Sequence, residues 1–283
     1  MMEHKHIQKQ QADINADLHI HSKISDGSET IDEIIKIAKQ KGLTHIAITD
    51  HDTLDGTFYA VSQGKKEGLM VIPGVEISAI DLNTGKKVHI LGYGIKHRDP
   101  ITALCEPLLK RRHLNCLKQI GILNQNGYCV PENILKKNVH QYIYKQHIMD
   151  YLVSTGQVEE MFGDFYQKIF KNRGICDFDI SYINACDAVK AVKKAGGFAV
   201  LAHPGQQQNF DSIHGLVSAG LDGLELNHLS NSEKDRNHIR EMACQYELFL
   251  TGGSDYHGRF EKQTVEIGCF TAEKEAVEII CTA

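Results

Sequence analysis

The chain predicts an α/β fold: a barrel of strand–helix units interrupted by a helical insert. Three observations carry this expectation. Short apolar runs of strand length alternate with segments whose apolar residues recur at helical spacing. Almost every apolar run is followed by a cluster of His, Asp or Glu, as expected where parallel strands deliver their ends to one rim. Between residues 100 and 175 the rhythm breaks, and no strong strand signal occurs there.

The elements follow in order. Residues 14–20 have the apolar content of a short buried strand. Side chains two apart on a strand share a face, so Asp17, His19 and His21 point the same way. Two imidazoles and a carboxylate aimed at one point make a poor core and a good transition-metal site. Residues 30–41 carry Ile31, Ile34, Ile35 and Ala38 at helical spacing, and Gly42 ends the helix. Asp32 and Glu33 lie in its first turn, where the helix dipole favours them. A strand at 45–49, a helix near 56–67, and strands at 70–77 and 88–93 come next. The insert at 100–175 reads as helical, most clearly at 103–124 and 146–154. The alternation then resumes with a helix at 185–195, a strand at 198–201 and a helix near 211–219. A strand at 223–227, a helix at 232–246 and a strand at 248–251 complete it.

Charge divides along the same lines. The insert holds ten Lys or Arg against six acids, a formal +4, which leaves −9 for the rest of a chain whose total is −5. An acidic barrel suits cations and a basic cap suits a phosphate substrate, although ordinary solvated helix surfaces carry such charges too. The total excludes a globally basic nucleic-acid coat but leaves room for a local basic groove. Eight cysteines are scattered without a Cys-x-x-Cys pair, which favours reduced, mostly buried thiols and a cytoplasmic protein over disulfides or a zinc knuckle. No 18-residue apolar run and no apolar N-terminal signal core occur, so neither a membrane span nor export is expected. Residues 1–14 read as a polar, frayed leader in which His4 and His6 have no metal role. Serine-hydrolase and NTPase readings fall away, because no Gly-x-Ser-x-Gly elbow or Walker loop is present.

The polar clusters carry the chemistry. They are Asp17-Leu18-His19-Ile20-His21-Ser22, Thr49-Asp50-His51-Asp52-Thr53, Gly74-Val75-Glu76-Ile77-Ser78, Val88-His89-Ile90-Leu91-Gly92, Leu201-Ala202-His203-Pro204-Gly205 and Gly253-Ser254-Asp255-Tyr256-His257. Six such clusters at strand ends argue for one polynuclear metal centre. Paired metals sit about 3.5–4 Å apart and need a bridging carboxylate. Glu76, an isolated acid after an apolar run, is the natural bridge.

The first of these clusters, followed by Ser25-Asp26-Gly27-Ser28 and Thr49-Asp50-His51-Asp52-Thr53, resembles the PHP (polymerase and histidinol phosphatase) superfamily of metal-dependent phosphoesterases. The later clusters match in order, so the resemblance spans roughly residues 15 to 260. It is similar in particular to bacterial members that hydrolyse nucleoside 3',5'-bisphosphates or trim short RNA from the 5' end, and less so to the histidinol phosphatase branch. The resemblance implies a distorted seven-stranded (β/α) barrel over 15–99 and 176–283, with the insert at 100–175 as a cap over the active site. It also implies three groups of metal ligands. His19, His21, Glu76 and Asp255 would hold one ion, Glu76, His89 and His203 a second, and Asp26, His51 and His257 a third. Glu76, His203 and Asp255 are the residues on which catalysis is expected to depend. Two to three divalent transition metals are implied, with Mn foremost and Fe or Zn as alternatives. Mixed imidazole and carboxylate ligands suit all three better than Mg or Ca.

The family's Arg-Pro-His in the cap stands here as Lys145-Gln146-His147, and lysine lacks the bidentate fork of arginine. Lys145, His147, Arg173 and His228 are the candidates to meet substrate phosphate. Asp17 and Asp50 would either orient ligand imidazoles or cap the following loops. His97, His113, His140, His214 and His238 are expected to be solvated or locally bonded. The expected function is metal-dependent hydrolysis of phosphorylated nucleotides or short 5'-phosphorylated RNA, with no stable protein partner. The alternatives are a histidinol-phosphate-type phosphatase of small metabolites and a catalytically silent metal-binding module.

Overall fold

The computed structural model describes residues 13–135, 142–261 and 265–282, so the leader up to residue 12 and Lys136, Lys137 and His140 of the insert lie outside the described residues. The chain opens as its spacing predicts, with β1 (Ala16–Ile20), α1 (Ile31–Gln40), β2 (His45–Ile48), α2 (Thr57–Glu67), β3 (Met70–Ile80) and β4 (Lys87–Tyr93). The insert contributes α3 (Asp99–Gln125), α4 (Lys145–Ser154) and α5 (Asp164–Phe170). Then follow β5 (Ile183–Asn184), α6 (Ala185–Lys194), β6 (Phe198–Leu201), α7 (Pro204–Gln207), α8 (Ile213–Ala219), β7 (Gly223–Asn227), α9 (Glu233–Tyr246), β8 (Phe249–Gly252) and α10 (Lys274–Thr282). Among the described residues no helix is long and apolar enough to cross a membrane.

Seven strands pair in the order β1-β2-β3-β4-β6-β7-β8, and β5 adds two residues beside β3. The path nearly closes into the seven-stranded barrel implied by the resemblance. At the seam, Ile20 bridges Tyr256, and His21 N–H donates to the Tyr256 carbonyl at 2.9 Å. Asp17 supplies what a ladder would otherwise supply, accepting from Ser254 N–H at 2.9 Å and from Gly268 N–H at 2.8 Å. Gly253 makes this approach possible, since a Cβ there would lie 2.4 Å from that of His19.

One strand departs from the parallel arrangement. β4 runs antiparallel to both β3 and β6. Only residues 81–86 separate β3 from β4, too few for the crossover that a parallel pair requires. Its ligand therefore lies near the start of the strand, with His89 opposite Ser78 of β3, and not at the end. The reversed strand still brings His89 to the same rim.

Alternation sorts the residues of the strands, except on β1. There an irregularity between Asp17 and Ile20 puts Leu18 and Ile20 in different clusters and takes Asp17 out of the row of His19 and His21. Inside the barrel, away from the ligands, Leu18, Ala47, Ile72, Leu91, Tyr93 and Val200 pack together, joined by Val277 and Ile280 of α10. Outside, β1 and β2 cover themselves with α1 and α2, while β3, β4, β6 and β7 pack on α3, α6, α8 and α9. Helix α3 belongs to two cores. Ile101, Cys105 and Leu108 join the barrel's outer cluster, whereas Cys116, Ile120 and Leu123 join Ile148, Leu152 and Phe170 of the insert. All eight cysteines are free, but only Cys105, Cys116 and Cys176 are buried, and Cys129, Cys244, Cys269 and Cys281 are exposed. The expectation of mostly buried thiols is corrected on this point: the exposed four occupy outward helix positions and loops.

Candidate metal centre

The rim where the strand ends meet gathers all nine expected ligands. His19 and His21 extend from β1, Glu76 stands on β3 and His89 on β4. Asp26, His51, His203, Asp255 and His257 sit on loops that follow strands. Asp52, His203 and Asp255 adopt φ of 62°, 26° and 54°, a left-handed backbone that non-glycine residues rarely take. Such turns cost energy and concentrate where a site must aim its side chains inward.

Glu76, 1 % exposed, is the hub. Its Oε2 lies 3.3 Å from His19 Nε2, 3.1 Å from His21 Nε2 and 3.3 Å from His51 Nδ1. Its Oε1 lies 2.8 Å from His89 Nδ1 and 3.1 Å from His203 Nε2. Asp255 Oδ1 is 3.2 Å from both His19 Nε2 and His21 Nε2. Asp26 Oδ1 is 3.5 Å from His257 Nε2 and 3.7 Å from His21 Nδ1. Three ligand groups emerge: His19, His21, Glu76 and Asp255; His51, Glu76 and His89; and His21, Asp26, His51 and His257. The first is the expected set. His51 joins Glu76 and His89, beside which His203 Nε2 lies 3.1 Å from Glu76 Oε1, and His21 is shared with the third group.

The donor set fits divalent transition metals. Among the described residues, His19 Nε2, both His21 nitrogens and Asp26 Oδ1 are buried without a hydrogen-bond partner. Ligand atoms sharing an ion at bonds of ~2.0–2.2 Å stand about 2.8–3.6 Å apart in tetrahedral or octahedral geometry. The separations around Glu76 and Asp255 fall in that range. Electrostatics asks for the same positive charge. Burial would drive the Glu76 carboxyl toward its neutral form, but His51, His89 and His19 hold its pKa well below the usual range. Burial likewise opposes a charged His19, yet Asp255, Glu225 and Glu76 lift its pKa well above normal. His21 rises to about 10 against the same burial penalty, through Asp255 and Glu76.

Asp17 and Asp50 serve loops, and neither contacts a ligand ring. Asp17 accepts from backbone N–H groups at the seam, and Asp50 accepts from Ser22 N–H at 2.8 Å and from the Ser22 and Ser25 hydroxyls at 2.7 Å. The acid that meets a ligand ring from behind is Glu225 on β7, which the sequence reading missed; its Oε1 lies 2.9 Å from His19 Nδ1. The available signal was a lone acid inside an apolar strand, the same one that exposed Glu76. Arg112 of α3 was missed as well. Its Nη2 donates to Asp52 Oδ2 at 2.8 Å and to Ser78 Oγ at 3.0 Å, and its guanidinium lies 5.2 Å over the Tyr144 ring. Nothing in Lys110-Arg111-Arg112 marks which of the three turns inward.

The phosphate candidates divide. Lys145 lines a cavity of about 250 Å³ that opens on Asp26, His51 and His89, together with Lys87, Arg112 and Lys171. Burial presses its ammonium pKa below the usual lysine range. Gln146 beside it donates to Asp26 Oδ2 at 2.9 Å. Arg173 is not in that lining. It is exposed, with φ 64°, and its N–H donates to Asp177 at 2.8 Å, whereas Lys171 is in the lining. His147 Nδ1 accepts from Tyr144 N–H at 3.1 Å, which spends that nitrogen on the start of α4. His228 is buried, 3.3 Å from Asp255 Oδ2 through Nε2 and 2.7 Å from Ser230 Oγ through Nδ1, and so stands behind a ligand. His238 is locally bonded as expected, 3.5 Å from Glu241, whereas His113 accepts from Ile143 N–H and His214 meets the Tyr246 hydroxyl, partners far along the chain.

Comparison with known proteins agrees with this geometry. The PHP domain profile matches residues 17–253. Over 247 residues the chain is 44% identical to the phosphoribosyl 1,2-cyclic phosphate 1,2-diphosphodiesterase of Eggerthella lenta, covering 86% of this chain and 94% of that protein. It is 30% identical over 253 residues to the 3',5'-nucleoside bisphosphate phosphatase of Chromobacterium violaceum, covering 86% and 87%. Among solved structures, a protein of Bifidobacterium adolescentis put forward as a metal-dependent phosphoesterase superposes with a TM-score of 0.86 at 27% identity, covering 94% of this chain and 95% of that one.

Proposed function

The chain belongs to the PHP domain family and is a metal-dependent phosphoesterase, and from that premise we propose that it hydrolyses a phosphoester on a ribose that carries two phosphate groups. One observation carries this reading: the cavity beside the ligand groups is lined by Lys87, Arg112, Lys145 and Lys171. A terminal monophosphate needs only the metal centre. A second phosphate needs cations of its own, and Lys145 and Lys171 supply them, since Lys87 and Arg112 are paired with Asp179 and Asp52. Both curated relatives are named for ribose compounds bearing two phosphates, one without a base and one with. A short RNA with a 5' phosphate presents the same pair of groups.

The residues have distinct tasks. His19, His21, Glu76 and Asp255 would hold one ion, Glu76 with His51, His89 and the adjacent His203 a second, and Asp26 with His21, His51 and His257 a third. When bound, such ions, Mn foremost and Fe or Zn as alternatives, lower the pKa of water and neutralise charge on a phosphoryl group. Glu76 joins the first two groups, so catalysis should depend on it most, with Asp255 and His203 next. Arg112 is fixed by Asp52 and Tyr144, whereas Lys145 forms no hydrogen bond among the described residues and can turn to a phosphate.

The test compares kcat/KM on ribosyl bisphosphates, with and without a base, against matched monophosphates. Bisphosphates should lead, with an advantage that shrinks as salt rises. Lys145→Ala and Lys171→Ala should each reduce that advantage while Mn content stays unchanged. Equal rates on mono- and bisphosphates would favour the small-metabolite phosphatase instead.

A further inference from the structure

Glu225 is wholly buried at the centre of β7 and faces the ligands without joining any ligand group. One carboxylate oxygen lies 2.9 Å from His19 Nδ1, and the other accepts from the His203 backbone N–H at 2.8 Å. We propose that Glu225 is the positioning residue of the metal centre, setting the tautomer of His19 and pinning the His203 turn with the same carboxylate. The inference rests on the reading that these residues bind metal and is independent of which phosphoester is cut.

The chemistry is restrictive. A carboxylate can only accept, so His19 Nδ1 must carry the hydrogen, and in the neutral ring that binds metal the lone pair is left on Nε2. That nitrogen is the one 3.3 Å from Glu76 Oε2 and 3.2 Å from Asp255 Oδ1, and it has no hydrogen-bond partner of its own. The second oxygen acts on backbone. His203 sits at φ 26°, a conformation its neighbours must hold in place, and its ring reaches within 3.1 Å of Glu76. Glu225 thus ties a ligand of the first group to the loop that aims His203.

An amide of equal size, as in Glu225→Gln, cannot do both jobs. If the amide oxygen accepts from His19 Nδ1–H, the NH2 confronts the His203 N–H, and two donors face each other. If the amide is flipped, the NH2 donates to His19 Nδ1, the ring hydrogen moves to Nε2 and the ligand lone pair is lost. Either way the centre is damaged without a change in volume. Partners of this kind are typically worth 10–100-fold in metal affinity.

The experiment titrates metal-free wild type, Glu225→Gln and Glu225→Asp with Mn, reading ions bound per chain and affinity, and records melting of the metal-free proteins. Glu225→Gln should bind Mn at least tenfold more weakly or hold one ion fewer. Glu225→Asp, which keeps the charge but shortens the reach, should fall between. In a cycle with His19→Ala, the part of the Gln effect that passes through His19 should vanish, leaving the smaller part carried by the His203 turn. A lower melting temperature with wild-type Mn number and affinity in both Glu225 variants would overturn the proposal and leave a purely structural role. Should the Gln variant fail to fold, wild-type Mn binding by the Asp variant would overturn it equally.

Discussion

At the scale of single residues, the site is organised around one carboxylate that meets five imidazoles, those of His19, His21, His51, His89 and His203. Glu76→Gln keeps the volume and removes the charge, so ions that Glu76 holds together should repel. The expected outcome is loss of at least one Mn per chain by metal analysis and a fall in turnover of several orders of magnitude, with circular dichroism unchanged. Retention of both metal and activity would show that the bridge lies elsewhere. These ligands were legible from sequence because each is a His or Glu that breaks or directly follows an apolar run. What Glu225 and Arg112 do was not, for a physical reason. Each is defined by a partner far along the chain, His19 for one and Asp52 for the other, and no local spacing records such a pairing.

At the scale of elements, α3 and α4 hold the insert over the rim. Arg112 pairs with fully buried Asp52, and Tyr144 O–H donates to the His51 carbonyl at 2.9 Å. A second link, Arg259 to Asp150 at 2.9 Å, is largely exposed on its arginine side. The two should differ in worth. Arg112→Met strands a buried carboxylate, and breaking such a pair costs about 3–5 kcal/mol. Asp150→Asn removes an exposed pair, for which roughly 0–1 kcal/mol is typical. Urea unfolding of both variants checks the contrast, and equal midpoints would contradict it. Periodicity foresaw most of these elements but not the direction of β4, which depends on the length of its link to β3. It also missed β5, too short to show a period, and α10, whose partners Val200 and Tyr93 lie far from it in the chain. Helix α3 begins at Asp99 and not at 103, because Pro100 suits a first turn that apolar spacing alone does not mark.

At the scale of the whole molecule, the ligands come from almost every strand of the barrel, and α3 shares its length between two cores. Metal binding should therefore stabilise the chain as one unit. Calorimetry should give a single transition whose midpoint rises with Mn and falls with chelator, by the equivalent of about 2.7 kcal/mol when free Mn stands 100-fold above its Kd. Two transitions, or a midpoint indifferent to chelator, would argue against that coupling. The seam between β1 and the turn after β8 sets a further condition. His19 and His21 are made early, whereas Asp255 and His257, which complete their ligand groups, are made near the far end of the chain. On a ribosome adding ~5–20 residues per second, roughly ten to fifty seconds separate these events. Throughout that interval the first and third ligand groups each lack a member, although His51, Glu76 and His89 of the second are already made. Loading of those two groups is thereby deferred until synthesis has passed β8, and a product truncated before Asp255 would carry neither of them complete.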